Sequence, residues 1–388
     1  MENRSAAVLR FAPTALMLGN VVTGCAVLAP AGMLKELSEG LDVSIRTAGL
    51  LITFGAVVLC VGSPVTAWLT SRIERRRLLA VTLAMLAATN IASAFAPDYA
   101  SLMALRLLML AIGVIYTPQA AGTAAMIVPE TRRGSTIAYV FLGWSLAAAV
   151  GLPLITLVAH RYGWRAAYAG VGVLGVVSLL LLMSRLPRGL FGAPVELRTW
   201  LALARKPLVV LLLLITTLYM SGQFVIFTFM GPLLERLSGA SADAIGLTFA
   251  LYGGFGFIGV AIATRIVDGW GAWRTSVLFL ALVLAGVAGW AISAGNYVLM
   301  AASVAVWGSG FAASNSMQQV RLVAAAPPLA SASVSLNTSV LYIGQAIGSA
   351  IGAFLYGRDM LYGAGYVGTA FLLAALVLAV ATRPRPQG

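Results

Sequence analysis

Leu186–Pro207 reads LPRGLFGAPVELRTWLALARKP, and it is the longest polar interval in a chain of 388 residues. On either side of it the sequence is a succession of apolar runs separated by short polar breaks. Six runs precede it, at about 12–34, 45–70, 78–95, 99–128, 136–159 and 166–185. Six follow, at about 208–233, 244–266, 275–293, 297–322, 332–357 and 366–381. A helix that crosses a bilayer needs about 20 mostly apolar residues. Lipid offers no partner to backbone N–H and C=O groups, so such runs must close their hydrogen bonds internally, as helices. The expectation is an all-α membrane protein of twelve transmembrane helices in two six-helix halves, residues 1–185 and 208–388, joined by a cytoplasmic linker at 186–207.

Composition points the same way. Hydrophobic residues make up 60% of the chain and charged residues 10%, and the mean hydropathy is +0.95. A soluble fold of this size needs more polar surface than that, so soluble enzymes are excluded early. The net charge of +13 is a topology signal rather than a nucleic-acid footprint, because the cations lie in short clusters between apolar runs. With the N-terminus inside, inner loops and tails hold 18 Lys and Arg, outer loops hold 6, and Arg106 stands within a run. The positive-inside rule therefore places both termini in the cytoplasm. Two cysteines, Cys25 and Cys60, and one histidine, His160, give no material for a disulfide framework or a metal site. The first apolar run is too long for a signal-peptide core and reads as a retained span.

The halves are related to each other. One shift of about 197 residues sets Gly49 on Gly246, Gly62 on Gly259, Ser71 on Asp268 and Gly151 on Gly348. It also sets span 2 on span 8 and span 5 on span 11. Duplicated six-helix halves with a site between them at the midplane are a transporter architecture.

Three motifs carry a family resemblance. The loop after span 2 runs from Ala67 through Leu69, Ser71, Arg72, Glu74, Arg75 and Arg76 to Arg77, and its counterpart holds Asp268, Gly271 and Arg274. This resembles the G-x-L-A-D-R-x-G-R-R loop of the major facilitator superfamily, with Ser71 in place of the acid and Glu74 in place of the second glycine. The resemblance implies a clamp between the halves through Arg72, Arg75, Arg76 and Asp268; the plainer reading is positive-inside anchoring. Leu102 and Arg106 are similar to the family's L-x-x-x-R signature in helix 4, found in proton-coupled exporters. Gly143, Gly151-Leu152-Pro153 and the following Gly163-Trp164-Arg165 look like the antiporter signature of helix 5, with Gly344, Gly348 and Gly352 matching in span 11. Gly151, Pro153 and Gly348 are expected to act in gating or simply to let helices pack closely. Gly254-Phe255-Gly256-Phe257-Ile258-Gly259 matches a dinucleotide fingerprint in form only, since no strand precedes it. No P-loop is present, and no cofactor is expected.

The bacterial exporter branch that handles drugs, sugars in the arabinose-efflux manner and purines is the nearest resemblance. It implies a monomer in the bacterial cytoplasmic (inner) membrane. Several relatives in that branch have an acid in helix 1, where this chain reads Thr23-Gly24-Cys25-Ala26. The twelve expected spans contain no Asp or Glu, which sets proton antiport in question. Their deep polar residues are neutral apart from Arg106: Asn20, Tyr116, Gln119, Tyr219, Gln223, Tyr252, Asn315, Gln319, Asn337, Tyr342 and Gln345. These residues and Arg106 are the candidate substrate ligands, with Met220, Phe224 and Trp307 as apolar contacts. The leading expectation is export of a small organic compound by alternating access, coupled to protons as the resemblance implies. The alternative is uptake or facilitated diffusion of a small organic anion, which Arg106 and the missing acid favour. A membrane-embedded sensor that moves no solute is a rival of another class.

Overall fold

The computed structural model describes residues 2–70, 72–129, 133–191, 203, 205–326 and 330–383. Every regular element among them is helical, and twelve segments are long and apolar enough to cross a bilayer. Span 1 is Glu2–Gly32, span 2 Ile45–Leu69, span 3 Arg75–Ala94, and span 4 the pair Tyr99–Gly113 and Tyr116–Met126. Span 5 runs from Arg133 to Tyr162, and span 6 is Trp164–Arg185. The second half holds Pro207–Phe227, Ala242–Trp270, Ala272–Ile292, Tyr297–Ala325, Ala330–Gly357 and Leu361–Ala381 as spans 7 to 12. Two short helices, Leu34–Gly40 and Met230–Ser238, follow spans 1 and 7.

The even spans 2, 4, 8 and 10 begin at one end of the bundle, away from the chain termini, and each has a polar cap. Ser44, Asp98, Ser241 and Asn296 accept from the backbone N–H three residues on, at 2.8–3.3 Å. Such caps satisfy donors that a helix start leaves bare. Spans 5 and 6 turn through Gly163 alone, and spans 8 and 9 through Gly271 alone. Their φ angles of 85° and 79° are open to glycine and strained for other residues.

Proline explains where the helices depart from the expected continuous spans. A proline lacks an N–H and crowds the carbonyl four residues earlier. Span 4 breaks at Val114, four residues before Pro118, and span 7 ends beside Thr228, four before Pro232. Span 5 instead absorbs Pro153 in a π-helical turn, Ala147–Gly151, where Leu152 N–H bonds the Ala147 carbonyl. Span 1 starts at Glu2 and span 8 runs from Ala242 to Trp270, so the expectation that no acid enters a span is corrected at Glu2, Asp243 and Asp268, all within three residues of a helix end. Asp243 lies exposed in the first turn of span 8, where the helix N-terminus favours a carboxylate.

Within the halves the helices touch through small residues. A Cβ at Gly344, Gly348 or Gly352 of span 11 would collide with the carbonyls of Thr217, Ser221 and Val225 on span 7. Gly143 and Gly151 give span 5 the same closeness to Met17 and Cys25 of span 1. Between the halves, span 2 packs on span 11 and span 5 on span 8; at the second seam Gly253 meets the backbone of Ala149 in the π turn. Outward faces carry exposed Val57, Val81, Leu180, Leu214 and Leu373. On a water-soluble protein this would be a sticky surface, but here it is the lipid-facing one.

Candidate functional site

Near the middle of the first half, Asn20 of span 1 is completely buried and donates through Nδ2 to the Val140 carbonyl of span 5 at 2.9 Å. Its Oδ1 accepts from Thr117 Oγ1 of span 4 at 2.9 Å, and Thr117 in turn accepts from the Trp144 indole N–H at 3.1 Å. Tyr116 lies beside this set, donating to the Leu16 carbonyl at 3.3 Å in the space that Gly19 leaves open.

The second half repeats the pattern with other residues. Thr216 of span 7 donates to Asn337 Oδ1 of span 11 at 2.8 Å, and Asn337 Nδ2 donates to Asn315 Oδ1 of span 10 at 3.3 Å. Asn20 and Thr216, Thr117 and Asn315, and Val140 and Asn337 are each separated by about 197 residues. The offset read from glycines therefore also relates the two hydrogen-bonded sets, on spans 1, 4 and 5 and spans 7, 10 and 11.

A second cluster lies deeper in that half. Gln223 Oε1 accepts from both Tyr252 OH at 3.2 Å and Trp307 Nε1 at 3.1 Å, while its amide nitrogen faces Met220 Sδ at 3.0 Å. Phe227, Tyr252, Trp307 and Phe311 stack around it with centroids 5.0–6.2 Å apart. The Tyr219 hydroxyl is buried there without a partner. Tyr342 crosses between the halves, reaching from span 11 onto Val27, Leu59, Leu110 and Val114, with Trp144 alongside. Gln345 is buried one turn away, and Gln319 is half-buried; neither joins the sets named above.

Two expected ligands are engaged elsewhere. Gln119 accepts from Arg75 and donates to Thr70 at 3.4 Å, which ties it to the loop after span 2. Arg106 is only 1% exposed. Its guanidinium donates to the Ala26 carbonyl and, at 2.7 Å, to the Val27 carbonyl of span 1. It is enclosed within the first half and has no open face toward a solute in this conformation.

The loop after span 2 binds its own half. Besides Arg75 on Gln119, Arg76 donates to the Met183 carbonyl, and Gly189 N–H donates to Glu74 at 2.9 Å. Arg72 is exposed. The Asp268 side chain lies outside the described residues. Span 10 carries a buried counterpart, Arg321, which bonds Gln318 at 3.2 Å and Thr382 Oγ1 at 2.6 Å. Gln318 was overlooked beside Gln319, although its three-residue spacing from Arg321 places the two on one helix face.

At the far end from the termini the halves are joined. Lys35 pairs with Glu235 across them. Phe229, completely buried, stacks on Tyr356 at 5.4 Å and presses its ring edge against Gly49 of span 2. Burial pushes the Glu36 carboxyl above its ordinary value, with His160 3.8 Å away. Asp98 is held below the usual range by hydrogen bonds from Ser101, as its capping role requires. Apart from the local Asp98–Ser101 cap, these partners come from distant segments and were not foreseeable from local sequence.

Twelve helices in two related halves, joined at one end around paired polar sets, are the build of a major facilitator transporter, and the chain belongs to that family. Residues 16–349 match the Major Facilitator Superfamily. The chain is 31% identical to the "Inner membrane transport protein YdhP" of Escherichia coli strain K12 over 96% of both chains. It is 26% identical to a "Probable sugar efflux transporter" of Mannheimia succiniciproducens over 87% of this chain and 85% of that one. Among solved structures, the human organic anion transporter MFSD10 superposes with a TM-score of 0.74 at 17% identity, over 96% of this chain and 99% of that one. A peptide transporter POT superposes with a TM-score of 0.77 at 14% identity, over 96% and 93%. The protein is thus a membrane transporter of small molecules rather than an enzyme.

Proposed function

We propose that the protein exports a small, neutral, polar organic solute by alternating access, its two halves rocking about a midplane site. The observation that carries this is the pair of matched hydrogen-bonded sets, Asn20–Thr117–Trp144 and Thr216–Asn315–Asn337, one in each half. Thr117, Trp144 and Asn315 are each partly exposed, and Tyr342 lies between the halves. Amides and hydroxyls of this kind match neutral hydroxylated solutes, and the resemblance to an efflux relative supports the outward direction. Arg106, enclosed on span 1, is left out of the ligand set, as is Gln119. Tyr116, Tyr219, Gln223, Tyr252, Gln319 and Gln345 form its surroundings.

We take the halves to be residues 1–185 and 208–388, with the linker and both termini on the cytoplasmic side of the inner membrane, on the charge bias of the loops. The far end would then face outward, held shut by Phe229 against Gly49 and by Lys35 with Glu235. Gly151, Pro153 and the π turn would bend span 5 as span 8 moves over it, since such turns mark functional points in helices. The protein acts as a monomer in this reading.

A second reading is downhill passage without ion coupling. It is favoured by the acids of the described residues, each of which lies outside the spans or within three residues of a span's end. Sealed proteoliposomes decide between them, using neutral, anionic and cationic solutes with a pH gradient imposed and then collapsed. Accumulation that vanishes on collapse supports coupled export. Unchanged downhill movement supports the facilitator, and no movement of any solute overturns both.

A further inference from the structure

Pro30 stands inside span 1, two residues before its end at Gly32. In an α-helix the N–H of residue 30 would bond the carbonyl of residue 26, and proline has no such N–H. Ala26 would therefore hold a bare carbonyl in the membrane interior, where no water replaces the missing donor. The group that reaches it is Arg106 of span 4, which donates to Ala26 through Nη1 and to Val27, the next carbonyl, through Nη2 at 2.7 Å. Both are charge-assisted bonds, stronger than the amide bond they replace. The guanidinium is 1% exposed and packs beside Gly55 of span 2, whose Cβ position is 3.7 Å from Nε.

We propose that Arg106 is the brace of span 1 at Pro30, a positioning residue rather than a solute ligand. Pro30 lies inside the helix between Asn20 on one side and the segment that leads to Lys35 on the other. Holding the two carbonyls keeps span 1 helical across the missing donor, so the midplane amide and the far-end ion pair keep their places. Two carbonyl dipoles face this buried cation in place of a carboxylate, each accepting from one Nη, while Nε is buried without a partner. This role goes beyond the transport reading and does not depend on it.

The test restores the missing donor. Pro30→Ala gives residue 30 an N–H of its own for the Ala26 carbonyl, which should make Arg106 dispensable. Cys25 adjoins Ala26 and is 3% exposed, so with Cys60→Ser as background its reaction with N-ethylmaleimide reports local opening. Arg106→Ala should raise the labelling rate at least about tenfold, the change that corresponds to roughly 1.4 kcal/mol. Arg106→Lys, with a single point donor, should give an intermediate rate. Pro30→Ala with Arg106→Ala should return the rate to within about threefold of the parent. Equal labelling in Arg106→Ala with Pro30 kept or replaced overturns the proposal. Should Arg106→Ala alone not yield a monodisperse protein, recovery by adding Pro30→Ala supports the brace, and equal loss in the double variant overturns it. No solute enters the experiment, so its outcome is independent of what the protein transports.

Discussion

Gly49→Ala puts a methyl group where the closed far end has no space. In the structure a Cβ at Gly49 would collide with the ring tip of Phe229 and lie 2.8 Å from its Cε1. Phe229 cannot retreat, because its other side lies against Gly352 and stacks on Tyr356 at 5.4 Å. Overpacking of this kind costs about 1–3 kcal/mol. The gain in helix propensity from glycine to alanine is common to every conformation and cancels from the comparison. The clash belongs only to the state in which span 2 meets Phe229, so that state loses about 5-fold to 150-fold in population against one with the far end parted. Spin labels on cysteines replacing Asp98 and Asn296, one exposed at the far end of each half, measure the separation by electron resonance once Cys25 and Cys60 are replaced by Ser. The expected result is growth of a longer-distance population in Gly49→Ala and its disappearance when Phe229→Ala is added. A folded Gly49→Ala protein with the parent's distance distribution would refute the wedge and with it the closed-end assignment.

Asn337→Ala should leave Thr216 and Asn315 without their partner, costing about 1–3 kcal/mol of stability and abolishing solute movement; thermal unfolding and proteoliposome flux read the two effects. Gly348→Leu should prevent folding, because the added side chain drives into the Ser221 carbonyl and Phe224, and size-exclusion of the detergent extract would show aggregate only. Glu36 carries a raised pKa through burial. Its contribution is therefore most favourable below the ordinary carboxylate value of 4.5 and is lost as pH rises through the raised value. Glu36→Gln should then raise the melting temperature at neutral pH and leave it unchanged in acid. Glu235→Gln should alter stability by less than about 1 kcal/mol, since exposed ion pairs contribute little, and a loss above about 3 kcal/mol in a melting series would contradict that ranking.

The twelve spans and their two-fold repeat were legible because hydropathy and glycine spacing are properties of consecutive residues, and lipid permits only helices to satisfy them. The breaks at Val114 and Thr228 were legible in principle from Pro118 and Pro232, four residues on, but apolar length alone masked them. What could not be read was pairing. Gln119 and Gln223 have the same side chain and are both buried, yet Gln119 is held by Arg75 and Gln223 by Tyr252 and Trp307. Thr117 and Thr216 looked like ordinary helix residues until the fold set them against Asn20 and Asn337. Arg106 was the plainest charge in any span, and its partners are backbone carbonyls, which carry no residue signature at all.

The backbone partners of Arg106 bear on coupling. A proton-driven carrier needs an interior group whose proton affinity changes as the two ends open in turn, and a carboxylate serves because a modest change in burial moves its titration across the working range. The midplane groups here are amides, hydroxyls and phenols, which stay neutral in both conformations. A guanidinium remains charged in both, and Arg106 is further fixed by span 1. The described acids include Glu36 beside His160, Asp98 as a cap, Asp243 in a first turn and Glu235 on Lys35. Of these Glu36 combines partial burial with a raised carboxyl and a place one residue from Lys35. If flux proves to depend on a pH gradient, Glu36→Gln must abolish that dependence while leaving downhill flux in place. If the dependence survives that change, the coupled proton travels with the solute itself, and the protein contributes only the two neutral sets that hold it.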